Sequence, residues 1–424
     1  MLLLFALADP ATGQYVCPQG VPEAARDRAV EVGRGIFLAD GRPWGSPHTA
    51  MVRTSAGPVI IDVSRTETAP DHRALLSAVD DRSPPYVILT HGHADHRGGI
   101  STWDDPGTAI VAQQEYVAFR NYQERLAPFL ERRFSPSHES AAATEPAAGN
   151  YGAPREATML FDDSLSLVVG NLTFEVHHTP AETYDGASVW IPELRAAFVG
   201  DAYYESFPAL YTIRGTQPRW ALDWVESLDR ILSWEPELLV FGHGSCIADR
   251  ETIRARLTRY RDAILYVHDA TVAGMNAGID RFTLMREVEL PEEIRVPDRY
   301  GSIPWSVRGI YEGYVGWYDG DIESLFAMNP TDIYSDLVEL AGGAQPVVER
   351  ARAALDGGDA ERALRLTQAA MQADPRNVEA LKVRSLALIR LIEASGNELQ
   401  RRWLEAELSR VREALGAADA GGEG

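Results

Sequence analysis

Thr90-His91-Gly92-His93-Ala94-Asp95-His96 follows directly on the apolar run Tyr86-Val87-Ile88-Leu89 and leads into Gly98-Gly99. Three imidazoles and a carboxylate crowded where a strand passes into a turn do not read as core packing. Neutral imidazole nitrogen and carboxylate oxygen suit Zn²⁺ and neighbouring divalent ions, at about 2.0–2.2 Å for zinc. Alternation sends His91 and His93 to one side and lets Asp95 and His96 turn to another, which serves two adjacent metals.

Outward from this cluster, three more strand ends carry ligand-type residues. They are His177-His178-Thr179-Pro180-Ala181-Glu182, Val199-Gly200-Asp201 and Phe241-Gly242-His243-Gly244. Singly, each is an ordinary turn; in the order cluster, Glu, Asp, His they complete a site. The aromatics Tyr203, Tyr204, Phe207, Tyr211 and Trp220 after Asp201 suit either an apolar wall for an organic group or core packing.

The rest of the chain alternates sheet and helix as far as about residue 250. Runs such as Gly35–Leu38, His48–Thr54 and Val59–Val63 read as strands, Ala69–Val79 as a helix, and strand signals resume at Leu165–Val169, Leu172–His177, Ala187–Ile191, Ala196–Val199 and Leu238–Phe241. The pattern predicts an N-terminal extension over 1–29 and an α/β domain over 30–250 with a loop insertion at 134–157. A helical domain over 251–416 and a disordered tail over 417–424 follow. In the helical part, Asp374-Pro375-Arg376-Asn377 between two Ala/Leu-rich stretches is similar to the turn of a tetratricopeptide-type hairpin, with one such unit legible.

The composition narrows the class. The chain has 424 residues, with 40 Lys+Arg against 62 Asp+Glu, a net charge of −22. That balance argues against general nucleic-acid affinity, so an anionic ligand requires a local positive centre. No stretch approaches the ~18–20 apolar residues of a membrane span. Cys17 and Cys246 read as two isolated thiols, with Cys246 a small buried one. Met1–Ala8 ends in an Ala-x-Ala triplet but has no basic region before it, so the expected setting is the cytoplasm.

From about Val30 to Ile247 the chain resembles the metallo-β-lactamase superfamily, whose His-x-His-x-Asp-His signature stands at His91, His93, Asp95 and His96. The resemblance implies an αββα sandwich holding two Zn²⁺ or other divalent ions. It assigns His91 and His93 to the first metal, Asp95, His96 and His243 to the second, and Asp201 to a bridge. Glu182 is the implied metal ligand at a position where most relatives have His; together with Asp201, 19 residues on, it is similar to the alkylsulfatase-like branch. So are Tyr211-Thr212-Ile213-Arg214-Gly215 and the segments Val307–Tyr311 and Tyr314–Gly320, the latter resembling an alkylsulfatase dimerisation domain.

That likeness implies a metal-dependent hydrolase of sulfate esters that forms a homodimer through its helical domain. Asp95 and Arg214 are the expected catalytic residues, and Arg214, Arg219 and Tyr211 the substrate-binding ones. Arg214 suits two oxygens of a sulfate because its guanidinium is planar and permanently charged. Two positions depart from the branch: Ala209 stands in place of a sulfate-binding Asn, and Trp305 in place of a His. The alternatives are a hydrolase of another ester class (lactone, thioester or phosphodiester) and a non-catalytic metal-bound scaffold.

Overall fold

The protein is described from a computed structural model, covering residues 14–17, 29–39, 47–134, 157–213, 215–244, 246–318 and 320–420. Chain contacts divide it into two compact units. The first, made of residues up to Glu131, Ala143–Pro297 and Gly301–Tyr311, holds both sheets.

One sheet has seven strands in chain order: β1 (Val30–Gly33), β2 (Ile36–Ala39), β3 (Thr49–Thr54), β4 (Gly57–Ile61), β5 (Tyr86–Ile88), β6 (Ala109–Gln113) and β7 (Met159–Phe161). The second has six: β8 (Ser164–Val169), β9 (Leu172–His178), β10 (Ala187–Ile191), β11 (Ala196–Phe198), β12 (Leu238–Val240) and β13 (Cys246–Ala248). Period-two side-chain alternation decides what each face covers. Ile36, Leu38, Val59, Ile61, Ile88 and Val111 pack with Leu167, Phe174, Val176, Val189 and Phe198 between the sheets. Their neighbours Phe37, Ala39, Ile60, Val87, Leu89 and Ile110 face outward, where Leu76 of helix α1 (Ala69–Ser77) covers them.

Helices α2 (Ala94–Arg97), α3 (Glu115–Phe134) and α4 (Ala221–Ser233) follow in the chain, and α4 lies over the second sheet. Its Ser227 donates to the Pro180 carbonyl at 2.7 Å, and Trp234 at its end stacks on Trp190 of β10. Helix, two sheets and helix make the expected αββα sandwich.

Four expectations need correction. Helix α5 (Arg250–Asn276), capped by Asp249, packs on α4, β12 and β13 and belongs to the sandwich unit, so the division falls well after the expected 250/251 boundary. The last helix continues to Ala420, through the start of the expected 417–424 tail; residues 421–424 lie outside the described residues. Within the expected extension 1–29, Val16 donates to the Val32 carbonyl at 2.9 Å, and Tyr15 and Cys17 pack on the inter-sheet core. Finally, Cys17 and Cys246 are no isolated thiols: they form a disulfide with Cα atoms 5.3 Å apart. The expected insertion, apart from its end residues 134 and 157, lies outside the described residues.

The second unit is helical. Four helices, Ala344–Asp356, Ala360–Ala373, Val378–Ala394 and Glu398–Ala420, each pack on the next, the first three around Val348, Ala351, Ala363, Ala370, Ala380, Val383 and Ala387 and the last two around Leu381, Leu388, Leu408 and Val411. Small alanines let the helix axes approach closely. The Asp374–Asn377 turn is built as its sequence predicts, with Asn377 accepting from the Ala380 amide at 2.9 Å.

Candidate metal centre

Every side chain of the centre sits just beyond the C-terminal end of a strand. The cluster follows β5, Asp201 follows β11 and His243 follows β12. Strands β4, β5 and β6 run parallel, as do β11 and β12, so their C-terminal ends lie at one edge of each sheet.

Two ligand groups result: His91, His93 and Asp201, and Asp95, His96 and His243. His91 Nε2 lies 2.9 Å from His93 Nδ1, and His96 Nε2 lies 3.3 Å from His243 Nε2. Asp201 serves both groups. Its Oδ2 stands 3.9 Å from His91 Nε2 and 3.2 Å from His243 Nε2, and its Oδ1 stands 3.5 Å from His96 Nε2. Asp95 Oδ2 is 3.7 Å from His243 Nε2. A Cβ on Gly242 would fall 2.1 Å from Asp201 Oδ1 and 2.7 Å from the His96 ring, so this approach requires glycine.

The donor set fits divalent cations. Facing imidazole nitrogens at these separations present lone pairs to one another and need a proton or a metal between them. Burial holds His91 down at about 4 and His93 well below the ordinary imidazole range, so both are neutral at pH 7, the state in which an imidazole can bind a cation. Burial would raise Asp95 and Asp201, but His96 and His243 beside them outweigh it and keep both ionised. Burial would likewise lower His243; Asp201 nevertheless carries it up to about 9.

One member of the centre was not anticipated. Asp62, at the end of β4, adopts φ +55° and accepts from the Thr90 amide, the Thr90 hydroxyl and His96 Nδ1, each at 2.8 Å. A carboxylate only accepts, so His96 carries a proton on Nδ1, and Nε2 is the nitrogen that faces His243. An aspartate closing the Val59–Ile61 run was the available signal.

The remaining candidates separate. Glu182 falls outside both ligand groups; its Oε1 is 2.9 Å from Arg219 Nη1, and both side chains are buried. Arg219 also donates to the Ala209 carbonyl at 3.0 Å, so its charge meets a buried carboxylate instead of standing open for substrate. The two help line a cleft with Phe119, Thr216, Gln217 and Trp220, and the Phe119 ring lies 5.4 Å from that of His93. Tyr211 packs against Gly309, and Arg214 lies outside the described residues. Tyr203, Tyr204 and Phe207 are buried core, with Tyr203 edge-on to Phe241 and Tyr260.

Residues 42–243 match the family described as the metallo-beta-lactamase superfamily, and residues 283–413 match alkyl sulfatase dimerisation. The chain therefore carries a metallo-beta-lactamase domain over residues 42–243 and an alkyl sulfatase dimerisation domain over residues 283–413. Among its relatives, the linear primary-alkylsulfatase of Pseudomonas sp. (strain ATCC 19151) is 28% identical over 383 residues, covering 83% of this chain and 72% of that protein. The (R)-specific secondary-alkylsulfatase of Pseudomonas sp. is 25% identical over 417 residues, covering 88% and 61%. A second linear primary-alkylsulfatase is matched over only 49% of its length. Among solved structures, the stereoselective inverting sec-alkylsulfatase Pisa1 from Pseudomonas sp. shares the fold with a TM-score of 0.77 at 22% identity, over 92% of this chain and 66% of that one.

Proposed function

We propose that the chain is a dinuclear metal-dependent hydrolase of sulfate esters. The observation that carries this reading is the convergence of His91, His93 and Asp201 with Asp95, His96 and His243 around one shared carboxylate. The likeness to alkylsulfatases over most of the chain supplies the substrate class. His91, His93 and Asp201 with Asp95, His96 and His243 would hold two divalent cations, zinc by preference of the imidazole-rich set, and such ions when bound would make a water acidic enough to attack an ester near neutral pH.

The protein's own residues do the rest. Asp201 holds the two positions together, Asp62 orients His96, and Arg214 is our assignment for the sulfate oxygens. In a chain of net charge −22, that local positive centre is what admits an anion. Protein stripped of metal and reloaded with zinc is expected to bind about two ions per chain and release inorganic sulfate from short or medium alkyl sulfates. Turnover of lactones, thioesters or phosphodiesters without any sulfate release would reject the substrate class and keep the hydrolase. The Ala209 and Trp305 departures make that panel the decisive one.

We further propose a homodimer formed through the second unit. Trp317, Phe326 and Leu340 there are 76%, 69% and 84% exposed, more apolar surface than one short stretch of a monomer ordinarily shows to water. The cross-link between Cys17 and Cys246 favours an oxidising compartment over the cytoplasm. No described helix is long and apolar enough to cross a membrane.

A further inference from the structure

Behind the first ligand group lies a buried pair of charges that none of the expected roles uses. Arg97, the last residue of α2, is 1% exposed. Its Nε donates to the Gly92 carbonyl at 2.8 Å and its Nη2 to Gln123 Oε1 at 3.4 Å. Asp185, also 1% exposed, approaches the same glycine from another side: a Cβ on Gly92 would lie 2.8 Å from Asp185 Oδ2 and 2.8 Å from Phe119. The Gly92 amide and the Thr183 hydroxyl are close enough to favour the charged carboxylate, yet neither makes a full hydrogen bond with it. Arg97 is near enough to favour the charged carboxylate as well, by a smaller amount.

Gly92 is the single residue between His91 and His93. Its peptide orientation sets where the two rings stand, and hence the 2.9 Å between His91 Nε2 and His93 Nδ1. Burying a guanidinium and a carboxylate costs several kcal/mol each in desolvation, which a hydrophobic pair of similar volume would avoid.

We propose that Arg97 and Asp185 are positioning residues that clamp the Gly92 peptide and thereby preset the His91–His93 separation for the first cation. This rests on the reading of His91, His93 and Asp201 as a cation position.

The test is equilibrium dialysis of the chelator-stripped full chain against graded Zn²⁺, with bound metal counted per chain and folding followed by circular dichroism. Wild type is expected to take up two ions. Arg97→Met should weaken one of them tenfold or more and leave the other within threefold. Arg97→Lys, which keeps a donor for the Gly92 carbonyl, should recover most of that loss. Asp185→Asn preserves shape and removes the buried charge, so it folds even where Arg97→Met does not, and should weaken the same ion at least threefold. Two ions bound within twofold of wild type in both the Met and Asn variants would overturn the clamp, whatever their melting temperatures. If wild type itself takes up no zinc, the reading of the centre has failed, and that result is visible before any variant is made.

Discussion

Asp62 carries more of the centre than any residue that does not itself ligate, because three donors converge on its two oxygens. Asp62→Ala leaves those donors buried without an acceptor, at about 1–3 kcal/mol each. Chemical denaturation of the metal-free protein should show a loss of at least about 3 kcal/mol, and zinc held by Asp95, His96 and His243 should be lost with it. Asp185 makes a separate prediction in pH. Burial pushes its carboxyl from the ordinary 3.8 up to about 6. Between these values the unfolded chain has released the proton that the folded one keeps, so folding stability falls as pH rises through the window, by on the order of 3 kcal/mol. Asp185→Asn abolishes this fall: measured without metal, its advantage over wild type should grow by that amount from pH 4 to pH 7. A gap that stays constant with pH would refute the assignment. The candidate ligands that the fold brings together were legible in the sequence: His91, His93, Asp95 and His96 sit within six residues, and Asp201 and His243 each close an apolar run. Asp62, Arg97 and Asp185 were not singled out, since one acid or base in a turn gives no spacing to read and its partner is chosen by the fold. Glu182 was singled out as a ligand, but its contact with Arg219 was not legible, because it crosses two loops and the fold chooses that partner.

At the level of strands, period-two alternation made the sandwich legible: Ile36/Leu38 and Phe37/Ala39 face different cores. Pairings across the chain were not. Cys17 meets Cys246 over a separation of 229 residues, with nothing in the spacing to announce it, and β13 is a three-residue strand at the edge of its sheet. Among the described residues that strand pairs only with β12, and it begins three residues after His243. Chain-entropy arguments give about 2–4 kcal/mol for a typical cross-link, and about 5 for a closed loop of this length. Cys17→Ser, or mild reduction of wild type, should therefore lower unfolding stability by a few kcal/mol, and denatured unreduced protein should show no titratable thiol. A full complement of free thiols in protein kept oxidised throughout purification would contradict the pairing. The misplaced boundary near residue 250 has a similar cause: α5 is helical in pattern, and helical pattern alone does not say which unit a helix packs on.

For the whole molecule, the exposed apolar stretch around residues 317–340 makes association the economical state, since an uncovered patch of that kind draws a second surface onto itself. Light scattering at micromolar concentration should give twice the chain mass, and Trp317→Glu combined with Phe326→Glu should return it to one while leaving zinc binding unchanged. Wild type that scatters as a single chain would remove the dimer. The Cys17–Cys246 bond has one more effect, on the chain as a covalent object. Residues 17 to 246 form a ring through that bond, so one backbone scission anywhere inside it opens the ring without releasing a fragment. Limited digestion should therefore yield a product that migrates as one species on a non-reducing gel and divides in two once a thiol is added.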